Sequence, residues 1–379
     1  MSNNSLNIQM VDLKSQYQRI KPQVDNAISN VIDSTQFING SEVREFQSEL
    51  SDYLGVKHVV TCGNGTDALQ ISMMALGLKP GDEVITPSFT YIATTEVIGL
   101  LGLKPVFVDC DSKTFNISPK EIEKVITKKT KAIVPVHLFG QSCEMNEIMK
   151  IAQKYNLFVI EDNAQAIGCD YKGFKEIKKT GTIGHIGCTS FFPSKNLGCF
   201  GDGGAIMTND DDLAVKLKMI ANHGQSKKYY HDRVGCNSRL DNLQAAVLRI
   251  KLRELDNYIL NRQKAANYYC EHLKDLSEIT LPQKFDESNH VFHQFTMKLS
   301  DKINREEFMS FLKIRAIPSM IYYPIPAHKQ KMFADIPVAC GDMINTDWLS
   351  SRVMSLPMHT EMSKEQLDYI INTIKEYFK

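Results

Sequence analysis

The chain has 379 residues, 43% hydrophobic and 23% charged, enough for one large domain and a smaller one, each with its own core. Its 44 basic residues balance 44 acidic ones without a Lys/Arg block, which argues against nucleic acid or an anionic membrane as partner. Nine scattered cysteines, with no C-x-x-C pair, argue against a disulfide framework or a metal site. The opening MSNNSLNIQMVDLKSQYQ lacks a basic-then-apolar leader and no run is apolar enough to span a bilayer, so a cytoplasmic globular protein is expected.

From about residue 57 to 215, apolar β-branched runs alternate with helix-period segments. His58-Val59-Val60 precedes a helix predicted over 68–78, Glu83-Val84-Ile85 one over 92–101, and Pro105-Val106-Phe107-Val108 one over 119–126. Ala132-Ile133-Val134-Pro135-Val136 leads to a helix over 145–155, and Leu157-Phe158-Val159-Ile160 closes the series. Nearly continuous apolar strands separated by helices predict an α/β fold with a mostly parallel sheet sandwiched by helices. An uninterrupted helical pattern then runs from Asp241 to Leu273. Beyond it the pattern predicts a strand over 292–299, a helix over 305–314, a strand over 318–323 and a final helix over 364–378. The expected division is a large domain over 1–250, including an N-terminal helical segment, and a smaller C-terminal α+β domain over 251–379.

Four stretches carry residues with chemistry to offer. Gly63-x-Gly65-x-x-Ala68 follows a strand and opens a helix, as a dinucleotide fingerprint does, but Asp82 and Glu83 fall in the turn before the next strand instead of at a strand tip. The more general reading is a phosphate seat, with Gly65 and Thr66 presenting N–H groups and a hydroxyl at a helix start; a ligand-free tight turn is the alternative. Tyr91, just past a strand, either stacks on a flat ligand or packs in the core. Glu161-Asp162 ends another strand, where a carboxylate can hold a ring nitrogen protonated or merely cap a turn. Lys195 stands between Phe191-Phe192-Pro193 and a glycine-rich turn, a setting that suits a Schiff-base lysine carrying an aldehyde cofactor better than a solvated surface lysine.

Gly65-Thr66-Asp67-Ala68-Leu69, Glu161-Asp162-x-Ala164-Gln165 and Ser190-Phe191-x-Pro193-x-Lys195-Asn196-Leu197-Gly198 occur in that order. Gly201-Asp202-Gly203-Gly204, Asn237-x-Arg239-Leu240-x-x-x-Gln244-Ala245-Ala246 and Tyr323-Pro324-x-Pro326-x-His328 follow. From about residue 8 to the C-terminus the chain resembles the DegT/DnrJ/EryC1/StrS family, the nucleotide-sugar aminotransferases of the fold-type I class that use pyridoxal 5′-phosphate. The resemblance implies that Lys195 and Asp162 are catalytic, Lys195 as the Schiff-base lysine and Asp162 as partner of the pyridinium nitrogen. It implies Gln165 beside the ring hydroxyl, Tyr91 stacked on the ring, and Gly65, Thr66 and Ser190 on the phosphate. Asn237 would reach the phosphate of the other subunit, making a homodimer with two shared sites. Arg239, Tyr322, Tyr323 and His328 are implied as substrate contacts.

The implied reaction takes an amino group from L-glutamate, leaves pyridoxamine 5′-phosphate, and aminates a keto group of a nucleotide-linked sugar. The wording from His185 to Cys199 is most similar to the branch that aminates C3 of UDP-2-acetamido-2-deoxy-3-oxo-D-glucuronate, for surface polysaccharide such as O-antigen or another glycan. The alternative is a 3- or 4-keto-6-deoxy sugar on dTDP or UDP. Relatives that deoxygenate sugars carry histidine in place of the lysine, and a non-enzymatic regulator could dispense with Asp162 and Lys195 together; both residues are present here.

Overall fold

The computed structural model describes residues 6–336 and 338–379. Its main sheet contains β1 (His58–Cys62), β2 (Glu83–Pro87), β3 (Lys104–Val108), β4 (Thr130–Ile133), β5 (Phe158–Asp162), β6 (Ile186–Ser190) and β7 (Gly204–Thr208). A second, three-stranded sheet is built from β8 (Ile279–Thr280), β9 (Phe295–Leu299) and β11 (Val353–Leu356), while β10 (Ala339–Cys340) returns to the edge of the first. The main sheet runs β1-β7-β6-β5-β4-β2-β3-β10. Among the described strands of this sheet only β7 is antiparallel to its neighbours. β2 leads to β3 on one side and the chain then continues with β4 on the other, so the strand order reverses at β2/β4. Open α/β sheets bind ligands beyond the carboxyl ends of their strands at such a reversal.

Both faces of the sheet are covered, which is why the middles of its strands are largely apolar. Val60, Ile160, Ile186 and Ile206 pack under helices Gly65–Ala75, Ala93–Leu100 and Asp211–Ala221. On the other face Ile85, Val106, Ile133 and Val159 meet helix Met145–Tyr155, and Val59, Ala205 and Met207 meet helices Ser41–Leu54 and Asn242–Arg253. The small sheet has a separate core of Phe295, Met297, Phe308, Leu312, Ile370 and Ile374. Helix Lys364–Tyr377 covers it and starts with a full capping box between Ser363 and Gln366. Ile8 joins this second core, and Met358 N–H donates to the Met10 carbonyl at 3.2 Å, tying the N-terminal residues to the C-terminal unit.

Two expectations from periodicity change. The helical pattern over 241–273 is two helices, Asn242–Arg253 and Leu255–Leu273, because the backbone tightens at Glu254 (φ −95°, ψ −4°) and its N–H bonds back only three residues, to Lys251. Leu255 is thereby driven into the large core. The stretch over 318–323 is a loop: only Met320 bridges to Ser355, and the chain then turns toward the carboxyl edge of the main sheet. No described helix is long and apolar enough to cross a membrane.

Candidate active site

Six segments carry the candidate residues around the carboxyl edge of the main sheet. After β1 the chain enters helix Gly65–Ala75, where the Asn64 side chain accepts the Asp67 N–H at 2.8 Å. The N–H groups of Gly65 and Thr66, in the first helical turn, have no acceptor among the described residues, as expected at a helix start. Ser190 ends β6 directly against this turn. A Cβ added to Gly65 would lie 2.7 Å from the Ser190 Cβ, and one added to Gly204 would lie 2.4 Å from the Asn64 carbonyl oxygen. Only glycine permits that approach, and it brings the helix start at Gly65-Thr66 against Ser190.

The two carboxylates at the end of β5 have opposite environments. Glu161 is fully buried and accepts from the N–H groups of Gly181 (2.8 Å), Ile183 (2.6 Å) and Gly184 (2.6 Å), and from His137 Nε2 (2.8 Å). Because His137 Nδ1 accepts the Cys143 N–H, its proton sits on Nε2 and points at Glu161. Asp162 faces the other way. Its Oδ2 accepts from the Thr94 hydroxyl at 2.7 Å and its Oδ1 from the Ala164 N–H at 3.1 Å. Glu161 therefore organises the 181–184 turn, and Asp162 alone is presented to the cleft.

Lys195 follows β6 on a turn closed by its own N–H to the Phe192 carbonyl at 2.9 Å. The residue is partly exposed to the cleft, and its amine has no hydrogen-bond partner among the described residues. Burial pushes the amine down to about 8, with the negative charge of Asp162 pulling the other way. Asn196, next in the chain, fixes the turn from behind by donating to the Val291 carbonyl at 3.1 Å.

Tyr91 is 55% exposed at the mouth, its ring 6.0 Å from that of Tyr323. Gln165 accepts the Phe139 N–H at 2.7 Å through Oε1 and donates to the Tyr323 hydroxyl at 3.0 Å through Nε2, which leaves its second amide hydrogen available. Burial raises the Tyr323 phenol well above the usual range, so it stays protonated. Tyr322, whose phenol burial also raises, packs beside it with ring centroids 5.8 Å apart. His328 sits one step away. Ser88 Oγ accepts the His328 backbone N–H at 3.1 Å and meets its Nδ1 at 2.7 Å, while Nε2 lies 3.4 Å from Asp347, so the ring ties the 326–330 loop to the end of β2 on one side and to helix Ile344–Arg352 on the other.

Asn237 is exposed, and its neighbour Ser238 bridges the Gly63 N–H (2.8 Å) and Asp67 (2.6 Å), laying segment 237–239 against the phosphate-seat turn of its own chain. Arg239 donates to Asn222 Oδ1 at 3.3 Å. The structure thus brings Gly65, Thr66, Ser190, Asp162 and Lys195 to one edge, with Gln165, Tyr91 and Tyr323 above them. Sequence reasoning missed Thr94 and Ser238. Thr94 stands three residues after Tyr91 in Ala93-Thr94-Thr95-Glu96, where nothing in the sequence separates its hydroxyl from that of Thr95.

Residues 18–375 match the model of the DegT/DnrJ/EryC1/StrS aminotransferase family. The chain belongs to that family. It is 47% identical, over 96% of its length and 98% of the relative's, to UDP-2-acetamido-2-deoxy-3-oxo-D-glucuronate aminotransferase of Pseudomonas aeruginosa. It is also 43% identical, over 99% of both chains, to a protein of Geobacillus stearothermophilus named pleiotropic regulatory protein. Among solved structures, S. venezuelae DesV in complex with a ketimine intermediate superimposes with a TM-score of 0.93 at 37% identity, covering 98% of this chain and 99% of that one.

This DegT/DnrJ/EryC1/StrS protein is an aminotransferase whose cofactor is pyridoxal 5′-phosphate, and the site's donor set fits the cofactor. The seat at Gly65, Thr66 and Ser190 offers backbone and hydroxyl donors at the positive end of a helix dipole, which suits a phosphate dianion. Asp162, held by two donors, suits a protonated ring nitrogen, and Lys195 supplies an amine that deprotonates near neutral pH.

Proposed function

We propose that the chain transfers the amino group of L-glutamate to a keto group of a nucleotide-diphosphate sugar, with C3 of UDP-2-acetamido-2-deoxy-3-oxo-D-glucuronate as the substrate. The product would enter surface polysaccharide or other glycan synthesis. The observation that carries the reading is the pairing of Lys195, an amine held to about 8, with the opposing carboxylate of Asp162 at the mouth of a phosphate seat. The 47% identity to the P. aeruginosa enzyme supports the choice of sugar.

Pyridoxal phosphate, when bound, supplies an aldehyde to carry the amino group and an electron-withdrawing ring. The chain does the rest. Gly65, Thr66 and Ser190 fix the phosphate end, and Tyr91 and Gln165 hold the ring by stacking and by an amide hydrogen. The Asp162 carboxylate keeps a proton on the ring nitrogen by charge-assisted hydrogen bonding. Lys195 Nζ would hold the cofactor and, when free, would take and return a proton as general base and acid; an amine near 8 can do both at neutral pH. Tyr322, Tyr323 and His328 form the wall on which the sugar rests, with Arg239 toward its acidic group.

Asn237 acts on the phosphate seat of a second copy of the chain, in a homodimer. Its exposure supports this, as do the exposed Tyr229 (80%) and Val234 (84%) on the segment before it. A second reading of the substrate, a dTDP- or UDP-linked 3- or 4-keto-6-deoxy sugar, is favoured by one observation: Arg239 is engaged by Asn222, so the site does not demand a carboxylate on the sugar.

The test is amino transfer from L-glutamate to a panel of UDP- and dTDP-linked keto sugars, read by mass and by 2-oxoglutarate release. The proposal expects the largest kcat/KM with the 3-oxo-glucuronate. No release of 2-oxoglutarate with any member would remove the proposed pairing of L-glutamate with these keto sugars.

A further inference from the structure

The cleft's carboxylate is set by a residue on another element. Thr94 is the second residue of helix Ala93–Leu100, is 1% exposed, and donates its hydroxyl to Asp162 Oδ2 at 2.7 Å across 68 positions of sequence. The remaining protein contacts of Asp162 are with backbone. Oδ1 accepts the Ala164 N–H at 3.1 Å, the Asp162 N–H donates to the Pro135 carbonyl at 2.9 Å, and its carbonyl accepts the His137 N–H at 3.1 Å. Thr94 is thus the one side chain among the described residues that hydrogen-bonds the carboxylate. The backbone contacts fix where the Asp162 Cα sits; rotation of the carboxyl group is limited by Ala164 on one oxygen and Thr94 on the other.

We propose that Thr94 is a positioning residue for the amino transfer: its hydroxyl orients the Asp162 carboxylate toward the ring nitrogen. This rests on the reading of Asp162 given above. One physical consequence follows from a donor at 2.7 Å on one oxygen and a backbone donor on the other. A carboxylate with both oxygens held loses its rotational freedom, so the lone pair left for a third partner points in one direction. Thr94 lies three residues after Tyr91, which precedes the helix's N-cap Ile92, so one loop-to-helix junction carries both the ring that would stack and the donor that sets the carboxylate.

Three variants separate the possibilities. Thr94→Val keeps the branched shape and removes the donor, Thr94→Ser keeps the donor and removes a methyl group, and Asp162→Asn removes the charge. The measurements are kcat and KM for both substrates, the pH titration of the visible absorption band of the cofactor-loaded protein, and the melting temperature of the cofactor-free protein. For Thr94→Val we expect kcat to fall by about 10- to 100-fold with the sugar KM nearly unchanged, the size of effect typical when a hydrogen bond to a site ligand is lost. The band should titrate at a different pH from wild type, and the cofactor-free melting temperature should hold. Thr94→Ser should restore both kcat and the titration to near wild type.

A Thr94→Val protein with wild-type kcat and titration overturns the proposal, and so does a Thr94→Ser protein as impaired as Thr94→Val, which would assign the effect to packing. If Asp162→Asn itself turns over normally, the underlying assignment of Asp162 falls and Thr94's role with it. If Asp162→Asn is dead and Thr94→Val is normal, only the inference about Thr94 is lost.

Discussion

Loss of solvation brings the amines of Lys195, which is partly exposed, and Lys251, which is buried, each down to about 8. Their surroundings nevertheless differ. Lys251, 2% exposed on helix Asn242–Arg253, donates to the Gly198 carbonyl at 2.6 Å, so its ammonium is a brace for the turn that leaves the site. Lys195, three residues before that carbonyl, has no such acceptor and opens onto the cleft, with Asp162 as the charge that offsets its burial. Burial alone lowers an amine's pKa; an unengaged end, access to the cleft and a matched carboxylate make it a nucleophile.

The comparison can be broken most sharply by exchanging outcomes between the two lysines. Lys195→Ala should abolish transfer, by at least about 10,000-fold, since on the proposed reading the same group would anchor the cofactor and carry the proton. Lys251→Met should retain turnover within a few fold. Comparable loss in both variants, measured by 2-oxoglutarate release, would mean the two sites are not functionally distinct.

The next largest effect concerns the carboxylates. Asp162→Ala should lower kcat by about 100- to 1,000-fold with the fold intact by circular dichroism, as loss of a preorganised charge does. Normal turnover would take the pyridinium role away from Asp162.

The lysine comparison also has a pH signature in the cofactor-free protein. Since the Lys195 amine is held below its ordinary 10.5, it is protonated and unreactive under acid conditions and becomes a free nucleophile as pH rises through about 8. Trapping of Lys195 by an added aldehyde and borohydride, mapped by peptide mass, should therefore rise to half-maximum near pH 8, with Lys251 unlabelled because its end is enclosed. A midpoint near 10 would contradict the burial account.

The smallest effect is structural. Lys251→Met leaves the Gly198 carbonyl without its donor and should destabilise the protein by about 1–3 kcal/mol in urea unfolding.

Much of this site was legible in the sequence because its chemistry constrains residue type and neighbours together. Lys195 among aromatics and glycines, Gly65-Thr66 at a helix start and Asp162 at a strand end can each be noticed singly, and the sheet topology explains why they meet. Glu161 and Asp162 could not be told apart by sequence: alternation along β5 points them to opposite faces, and only the 181–184 turn and Thr94 show which carboxylate is structural. Thr94 itself was hidden because its partner is 68 positions away and a threonine early in a helix usually caps locally. The break at Glu254 was hidden for a related reason. Glutamate is a good helix former, and the interruption comes from packing Leu255 into the large core. The 318–323 run reads as a strand by composition, yet only Met320 of it bridges to a strand.

The most direct measurement of the central claim is borohydride reduction of the cofactor-loaded protein followed by peptide mapping, with and without prior L-glutamate. The account predicts a pyridoxyl mass on Lys195 alone without glutamate, and its disappearance after glutamate converts the cofactor to its amino form. A pyridoxyl mass on another lysine, or a Lys195 adduct indifferent to glutamate, would contradict it.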